Sequence, residues 1–147
     1  MHVTLEYSEE APTPFAEDFF QEVAVRTLEE CDFSFLRGKE VRLNVVSVSS
    51  EKMRELNRTY RDKDAATDIL SFAEYEDQEA LAEARERDIF LGELFFSSAF
   101  IMDAAKEDGV TFEREMVYIF SHGVLHLVGF DHEEAMFAIQ ERVTDFL

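Results

Sequence analysis

The sequence predicts an α+β fold: a single domain spanning residues 1–147, with a small mixed β-sheet covered by helices and a three-histidine metal site on a buried helix and the turn after it. Three observations lead there. The chain has 147 residues, a one-domain length that lets about two thirds of the unfolded surface be buried. Apolar residues alternate with period two in several runs up to Ser97, and helical spacing takes over after it, so strands come early and helices cluster late. The stretch from Thr111 to Val128 is apolar on most of its circumference, a pattern that belongs to a buried helix.

Each element follows from its residues. Val3, Leu5 and Tyr7 alternate with polar neighbours in a first strand, His2 to Tyr7. Ala11 to Pro14 breaks it, and Thr13 with Pro14 reads as the cap and first residue of a helix. Phe15, Phe19, Val23 and Leu28 continue that helix to about Cys31. Arg37-Gly38-Lys39 is a turn, and Val41, Leu43 and Val45 mark a strand to Val48. Ser49 and Ser50 cap a helix from Glu51 to about Tyr60, with Met53 and Leu56 inward. A polar loop, Arg61 to Ala66, leads to a strand from Thr67 to Phe72. Glu74 to Asp88 holds seven carboxylates in fifteen residues and reads as a mobile, solvated insertion with a helix-prone centre at Ala80–Ala84. Ile89 to Ser97 is a strand with Gly92 in its middle, and Ser97 or Ser98 opens a helix that ends at Gly109. Thr111 caps the long buried helix. Asp131 is placed to cap a last helix through Met136, Phe137, Ile139, Val143 and Phe146.

Composition narrows the function. Cys31 is the single cysteine, so no intramolecular disulfide forms, and a reducing, cytoplasmic setting is expected. The start, Met1 to Tyr7, has no basic region and no long apolar run, and no window approaches the roughly 18 apolar residues of a membrane span. The net charge is −19, with 33 acidic residues against 14 basic ones, only four of them lysine. Such a surface is strongly solvated, and it suits a high-salt cytoplasm, where self-repulsion is screened. Nucleic-acid binding rests on Lys and Arg at phosphates, so an RNA partner requires the few arginines to be concentrated where the RNA lies.

The chemistry concentrates in Ser121-His122-Gly123-Val124-Leu125-His126-Leu127-Val128-Gly129-Phe130-Asp131-His132, which holds three of the four histidines. His122 and His126, four apart on a helix, share one face about 6 Å apart between Cβ atoms. Gly129 ends the helix in a left-handed turn and brings His132 back toward them. Three imidazoles with an open fourth position describe a catalytic Zn²⁺ site, one ion per chain, although imidazoles also accept Ni²⁺ or Co²⁺. The spacing equals that of the metzincin proteases, H-E-x-x-H-x-x-G-x-x-H, but the glutamate that serves them as general base is Gly123 here. Peptidase or amidase chemistry therefore lacks its base. The fourth histidine, His2, lies in the first strand, so no free histidine pair remains for acid–base work.

With these residues in view the chain resembles the YbeY family of bacterial rRNA-maturation endoribonucleases. The histidine stretch matches the family's H-G-x-L-H-L-x-G-[YF]-D-H throughout. Leu56-Asn57-Arg58-Thr59-Tyr60-Arg61 is similar to L-N-x-x-Y-R, Thr67 to Phe72 to T-D-V-L-S-F, Leu91 to Leu94 to L-G-D-I, and Met136-Phe137 to an M-F pair. Ala66 and Ala73 stand where the family usually has prolines, and Glu93 replaces an aspartate. The resemblance implies a metal held by His122, His126 and His132 and a catalytic arginine at Arg61. It also implies single-strand-specific RNA cleavage at the 3′ end of small-subunit (16S) rRNA, with ribosome quality control and possible contact with ribosomal proteins. A metal-dependent hydrolase of a peptide or small amide and a non-catalytic assembly factor with a structural metal are the competing readings; the missing base argues against the first and a site open to solvent against the second. A loop arginine such as Arg61 can also simply pair with Asp62 or Asp64. Arg58 is close by, and Asn57, Thr67, Asp68 and Ser71 are expected to shape the site floor; a second reading of Asp68 is a carboxylate that orients a histidine.

Overall fold

Four strands form one mixed sheet in the computed structural model, which describes residues 1–147. They are β1 (His2–Glu9), β2 (Glu40–Ser47), β3 (Ile69–Ala73) and β4 (Asp88–Phe96), in the order β1-β2-β4-β3. β1 and β4 run parallel to β2, and β3 runs antiparallel to β4 at the far edge. The helices are α1 (Glu17–Cys31), α2 (Ser50–Arg61), α3 (Gln78–Glu83), α4 (Ser98–Asp108), α5 (Phe112–Leu127) and α6 (Glu134–Phe146), with a 3₁₀ turn at Ser34–Leu36. None is long and apolar enough to cross a membrane.

The alternation that predicted the strands also says which face is buried. Val3 and Leu5 of β1 and Val41, Leu43 and Val45 of β2 point into the main core. On β4 the buried positions are Ile89 and Leu91, then Leu94 and Phe96. That change of parity needs one extra residue in the strand, and the β2–β4 register shifts between Arg42 and Asn44 to supply it. Gly92 sits in this bulge with φ +135°, and a Cβ there would lie 2.1 Å from the carbonyl oxygen of Phe72. Gly92→Ala therefore forces β3 off β4 or strains the backbone. The expected loss is about 3 kcal/mol of stability, from overpacking together with the forbidden dihedral. Denaturant unfolding measures it, and a loss below about 1 kcal/mol would mean that the bulge relaxes freely.

α5 is the central helix, packed on β3 and β4 and flanked by α1, α4 and α6. Phe20 of α1 and Phe120 of α5 are fully buried and meet at 5.1 Å between ring centroids, with Phe96 of β4 4.9 Å from Phe20. α2 takes the opposite face of the sheet. Met53 and Leu56 pack there on Val46, Val48 and Leu70, with Phe72 and Phe95 at the margin.

Three expectations are corrected. α1 begins at Glu17, not at Pro14, and its cap position, Ala16, offers no side-chain bond. Thr13 is spent elsewhere: its hydroxyl accepts a 2.7 Å bond from Ser98 Oγ. Asp131 does not cap α6, which starts at Glu134 behind an uncapped Glu133; the Asp131 carboxylate accepts the next N–H, that of His132, at 2.9 Å. The acidic segment is not a solvated insertion. Its centre is α3, capped by Asp77 on the Ala80 N–H at 2.8 Å, and Leu81 is buried in the main core. Lys39 ties down the far end by donating to the carbonyls of Ala84 and Glu86. Leu81, with Tyr75 and Ala84 packed against the same core, and one cation outweigh the charge density of the segment, because its carboxylates point outward.

Candidate metal centre

Two backbone N–H groups at the end of α5 set the geometry. Phe130 N–H bonds Leu125 C=O at 3.1 Å, and Gly129 N–H bonds His126 C=O at 3.1 Å, with Gly129 at φ +91°. This is a Schellman turn. A Cβ on Gly129 would lie 2.4 Å from the backbone nitrogen of Gln78, so α3 buttresses the turn from outside. The turn reverses the chain and returns His132 to the two helical histidines. The ring centroids of His122, His126 and His132 lie 4.5, 5.2 and 4.9 Å apart, and one nitrogen from each falls within 4.8 Å of the others. His122 and His126 are half-buried, and His132 is exposed.

The hydrogen bonds fix which nitrogens face inward. His126 Nδ1 lies 2.9 Å from the carbonyl of Phe130, which can only accept, so Nδ1 carries the proton and Nε2 is bare. The amide nitrogen of Gln140 donates to Tyr118 C=O at 2.9 Å, which turns its oxygen toward His122 Nδ1 at 3.3 Å. His122 Nδ1 therefore also carries a proton. The two Nε2 atoms stand 3.0 Å apart, lone pair against lone pair, with no proton to share. A cation between them satisfies both, and the donor set suits a zinc-type ion. Burial also holds both imidazoles below their ordinary pKa, which keeps them neutral as ligands must be.

Gln140 is the functional residue that sequence reasoning missed. It is 1% exposed on α6, eighteen residues from His122, and no motif marks it. Asp68 lines the cleft as expected, but it orients no histidine: its carboxylate accepts from its neighbours, Ile69 N–H at 2.6 Å and Thr67 Oγ1 at 3.4 Å. Gln140→Leu is expected to weaken metal affinity about 10- to 100-fold with the fold intact, as a competition titration against a chelator would measure. Unchanged affinity would remove Gln140 from the site.

The histidines open into a cleft of about 570 Å³. Arg61, Asp68, Ser71, Tyr118, Phe137 and Gln140 line it with them. Arg61, the last residue of α2, donates to Ser71 C=O at 2.7 Å and to Tyr60 C=O at 3.3 Å, with its guanidinium 4.7 Å over the Phe72 ring. It does not pair with Asp62 or Asp64. Asp64 is taken by Arg54 in a two-pronged bond of 2.8 and 3.1 Å, with Arg58 at 3.9 Å. Asn57 shapes the loop after α2, its buried amide donating to Ala65 C=O at 2.8 Å. Ser71 forms floor, its hydroxyl donating to Gly123 C=O at 3.3 Å. His2 lies outside the cleft, 2.7 Å from Glu40.

Gly123 has a structural reason. A Cβ there would meet Ile69 Cδ1 at 2.6 Å and Leu94 Cδ2 at 3.1 Å, because α5 lies directly on β3 and β4. A metzincin-type glutamate here would have to push the Ile69 and Leu94 side chains aside, so packing as well as sequence opposes the protease base.

The chain matches the family model described as Endoribonuclease YbeY over residues 6–147. An endoribonuclease YbeY of Ureaplasma urealyticum is 38% identical over 105 residues, 68% of this chain and 63% of that protein, so this match spans less than two thirds of the relative. One from Streptococcus thermophilus is 39% identical over 144 residues, 84% of this chain and 87% of the relative. The solution structure of TM1509 from Thermotoga maritima shares the fold, with a TM-score of 0.62 over 97% of this chain and 87% of that one, at 24% identity. With the histidine motif, its converging bare nitrogens and the match over nearly its whole length, the chain belongs to the endoribonuclease YbeY family.

Proposed function

We propose that the chain, as one catalytic domain over residues 1–147, is a metal-dependent endoribonuclease of single-stranded RNA, acting in the cytoplasm on the 3′ end of 16S rRNA and in ribosome quality control. His122, His126 and His132 hold one Zn²⁺, and Arg61 is the catalytic arginine. The observation that carries this reading is the pair of bare Nε2 atoms 3.0 Å apart in the same cleft as an arginine free of any carboxylate. A divalent ion bound there lowers the pKa of water from about 15.7 toward about 7 and so supplies a nucleophile at neutral pH. The chain's own groups do the rest. Gln140 and the Phe130 carbonyl hold two imidazoles in one tautomer. Arg61 presents its remaining N–H groups to the phosphate as negative charge grows on it. An attack by the RNA's own 2′-hydroxyl needs a base and an acid, usually two histidines, and the one histidine outside the cluster lies at Glu40.

The test incubates metal-loaded protein with a small-subunit rRNA 3′-end fragment, single-stranded and annealed, with and without chelator. Cleavage of the single strand alone, lost with chelator, is the expected result. Cleavage of casein with the RNA left whole would return the site to a different hydrolase. A substrate with one 2′-deoxy sugar on the 5′ side of the cut bond then separates the nucleophiles. Continued cleavage there is expected, and its loss would make the 2′-hydroxyl the attacking group.

A further inference from the structure

The stretch Lys52 to Lys63 is electrically unlike the rest of the molecule. It holds five basic residues, Lys52, Arg54, Arg58, Arg61 and Lys63, against Glu55 and Asp62, while the remaining chain holds nine basic residues against thirty-one acidic ones. Arg54, Arg58 and Arg61 stand at i, i+4 and i+7 of α2, so they share one face, with Arg61 in the cleft and Arg54 about 10 Å farther along the axis. Arg54 and Arg58 are more than half exposed, and so is the Asp64 carboxylate they hold. Beside them Tyr60 is 60% exposed, edge-on to Phe72 at 5.3 Å.

We infer that the Arg54–Arg58–Arg61 stripe is a contact surface for the phosphates of a single-stranded RNA beyond the cleft, and that Asp64 occupies its Arg54–Arg58 end as an internal substitute for phosphate until RNA displaces it. This rests on the RNA-cleaving reading above. The fork that Arg54 makes on Asp64 has the two-bond form that guanidinium makes on a phosphate. An exposed ion pair is held weakly, so a stronger anion exchanges for the carboxylate without disturbing the core. Strong negative charge over the remaining surface repels a polyanion, which leaves this stripe as the approach that leads into the cleft. Tyr60 adds a ring on which a base can stack.

The experiment measures binding and cleavage of two oligoribonucleotides, one of roughly four nucleotides that fills the cleft alone and one of roughly sixteen that reaches along α2. Arg58→Ala and Arg54→Ala should weaken the long oligomer about 3- to 10-fold. Each should lower the slope of log affinity against log salt by about 0.7, and both should leave the short oligomer unchanged. Asp64→Asn should tighten the long oligomer. Arg37→Ala removes an equal charge from an exposed turn and controls for bulk electrostatics. Equal losses on both lengths, an unchanged salt slope, or the same loss in Arg37→Ala would make the stripe a solvated face only. Weaker binding by Asp64→Asn would overturn the substitution of carboxylate for phosphate. If the unaltered protein cleaves neither oligomer, the endoribonuclease reading fails instead, and binding of the long oligomer still decides the stripe.

Discussion

His126→Ala should abolish metal binding and RNA cleavage together. Elemental analysis of the purified variant should find far less than one ion per chain, and cleavage should fall to background. Of the three histidines His126 is held most firmly: Nδ1 is bonded to the Phe130 carbonyl at 2.9 Å and Nε2 lies 3.0 Å from that of His122. Its removal leaves one fixed imidazole and the exposed His132, too few to hold an ion against water. The fold should survive. The Schellman turn is made by backbone groups, and the vacated space opens to the cleft rather than into the core. The variant should thus show an unchanged circular-dichroism spectrum, and the metal-free unaltered protein should melt at the same temperature. His2→Ala, in β1 beside Glu40, should keep full metal and activity. Full retention of metal by His126→Ala would refute the assignment.

The site was legible in the sequence where it depends on neighbours along the chain. His122 and His126 are set by helical pitch, and Gly129 by a turn that only a left-handed residue closes, so the approach of His132 could be read from spacing. What depends on chain segments meeting was not legible. Gln140 reaches His122 because α6 folds back on α5, and Gln78 reaches Gly129 because α3 folds under the turn. Asp68 lines the cleft as expected, but the alternative reading, that it orients a histidine, does not hold. Instead, the adjacent N–H of Ile69 is available at no cost in chain ordering and captures the carboxylate. The same local competition removed Asp131 from the α6 cap. The fold followed the same division. Period-two alternation gave the strands, and the parity change from Leu91 to Leu94 marks the bulge at Gly92, but the order β1-β2-β4-β3 is set by how the helices cover the sheet. Charge misled once: carboxylate density at Glu74–Asp88 hid Leu81, which anchors the segment in the main core.

Arg61→Ala should retain the metal and the fold and lose RNA cleavage about 100-fold or more, the scale of removing one preorganised donor from developing charge. The expectation rests on how Arg61 is held. One end of the guanidinium is fixed by Ser71 C=O at 2.7 Å, on the outer edge of β3, and its plane rests over Phe72. Those contacts hold the guanidinium at the wall of the cleft that holds the histidines before substrate arrives. No carboxylate neutralises the charge: Arg61 bonds only backbone carbonyls, and Asp64 lies on Arg54 and Arg58. An anchored and uncompensated guanidinium stabilises a phosphate more strongly in the transition state than in the ground state, so the loss should fall on kcat rather than on KM. Arg61→Lys should recover only part of the rate. Its single ammonium cannot hold the Ser71 carbonyl and also fork a phosphate, and it cannot lie flat on Phe72. Near-normal cleavage by Arg61→Ala would make Arg61 a surface arginine. A loss confined to KM would assign it to substrate binding, and full rescue by lysine would mean that charge alone, without the anchored plane, is what the reaction uses.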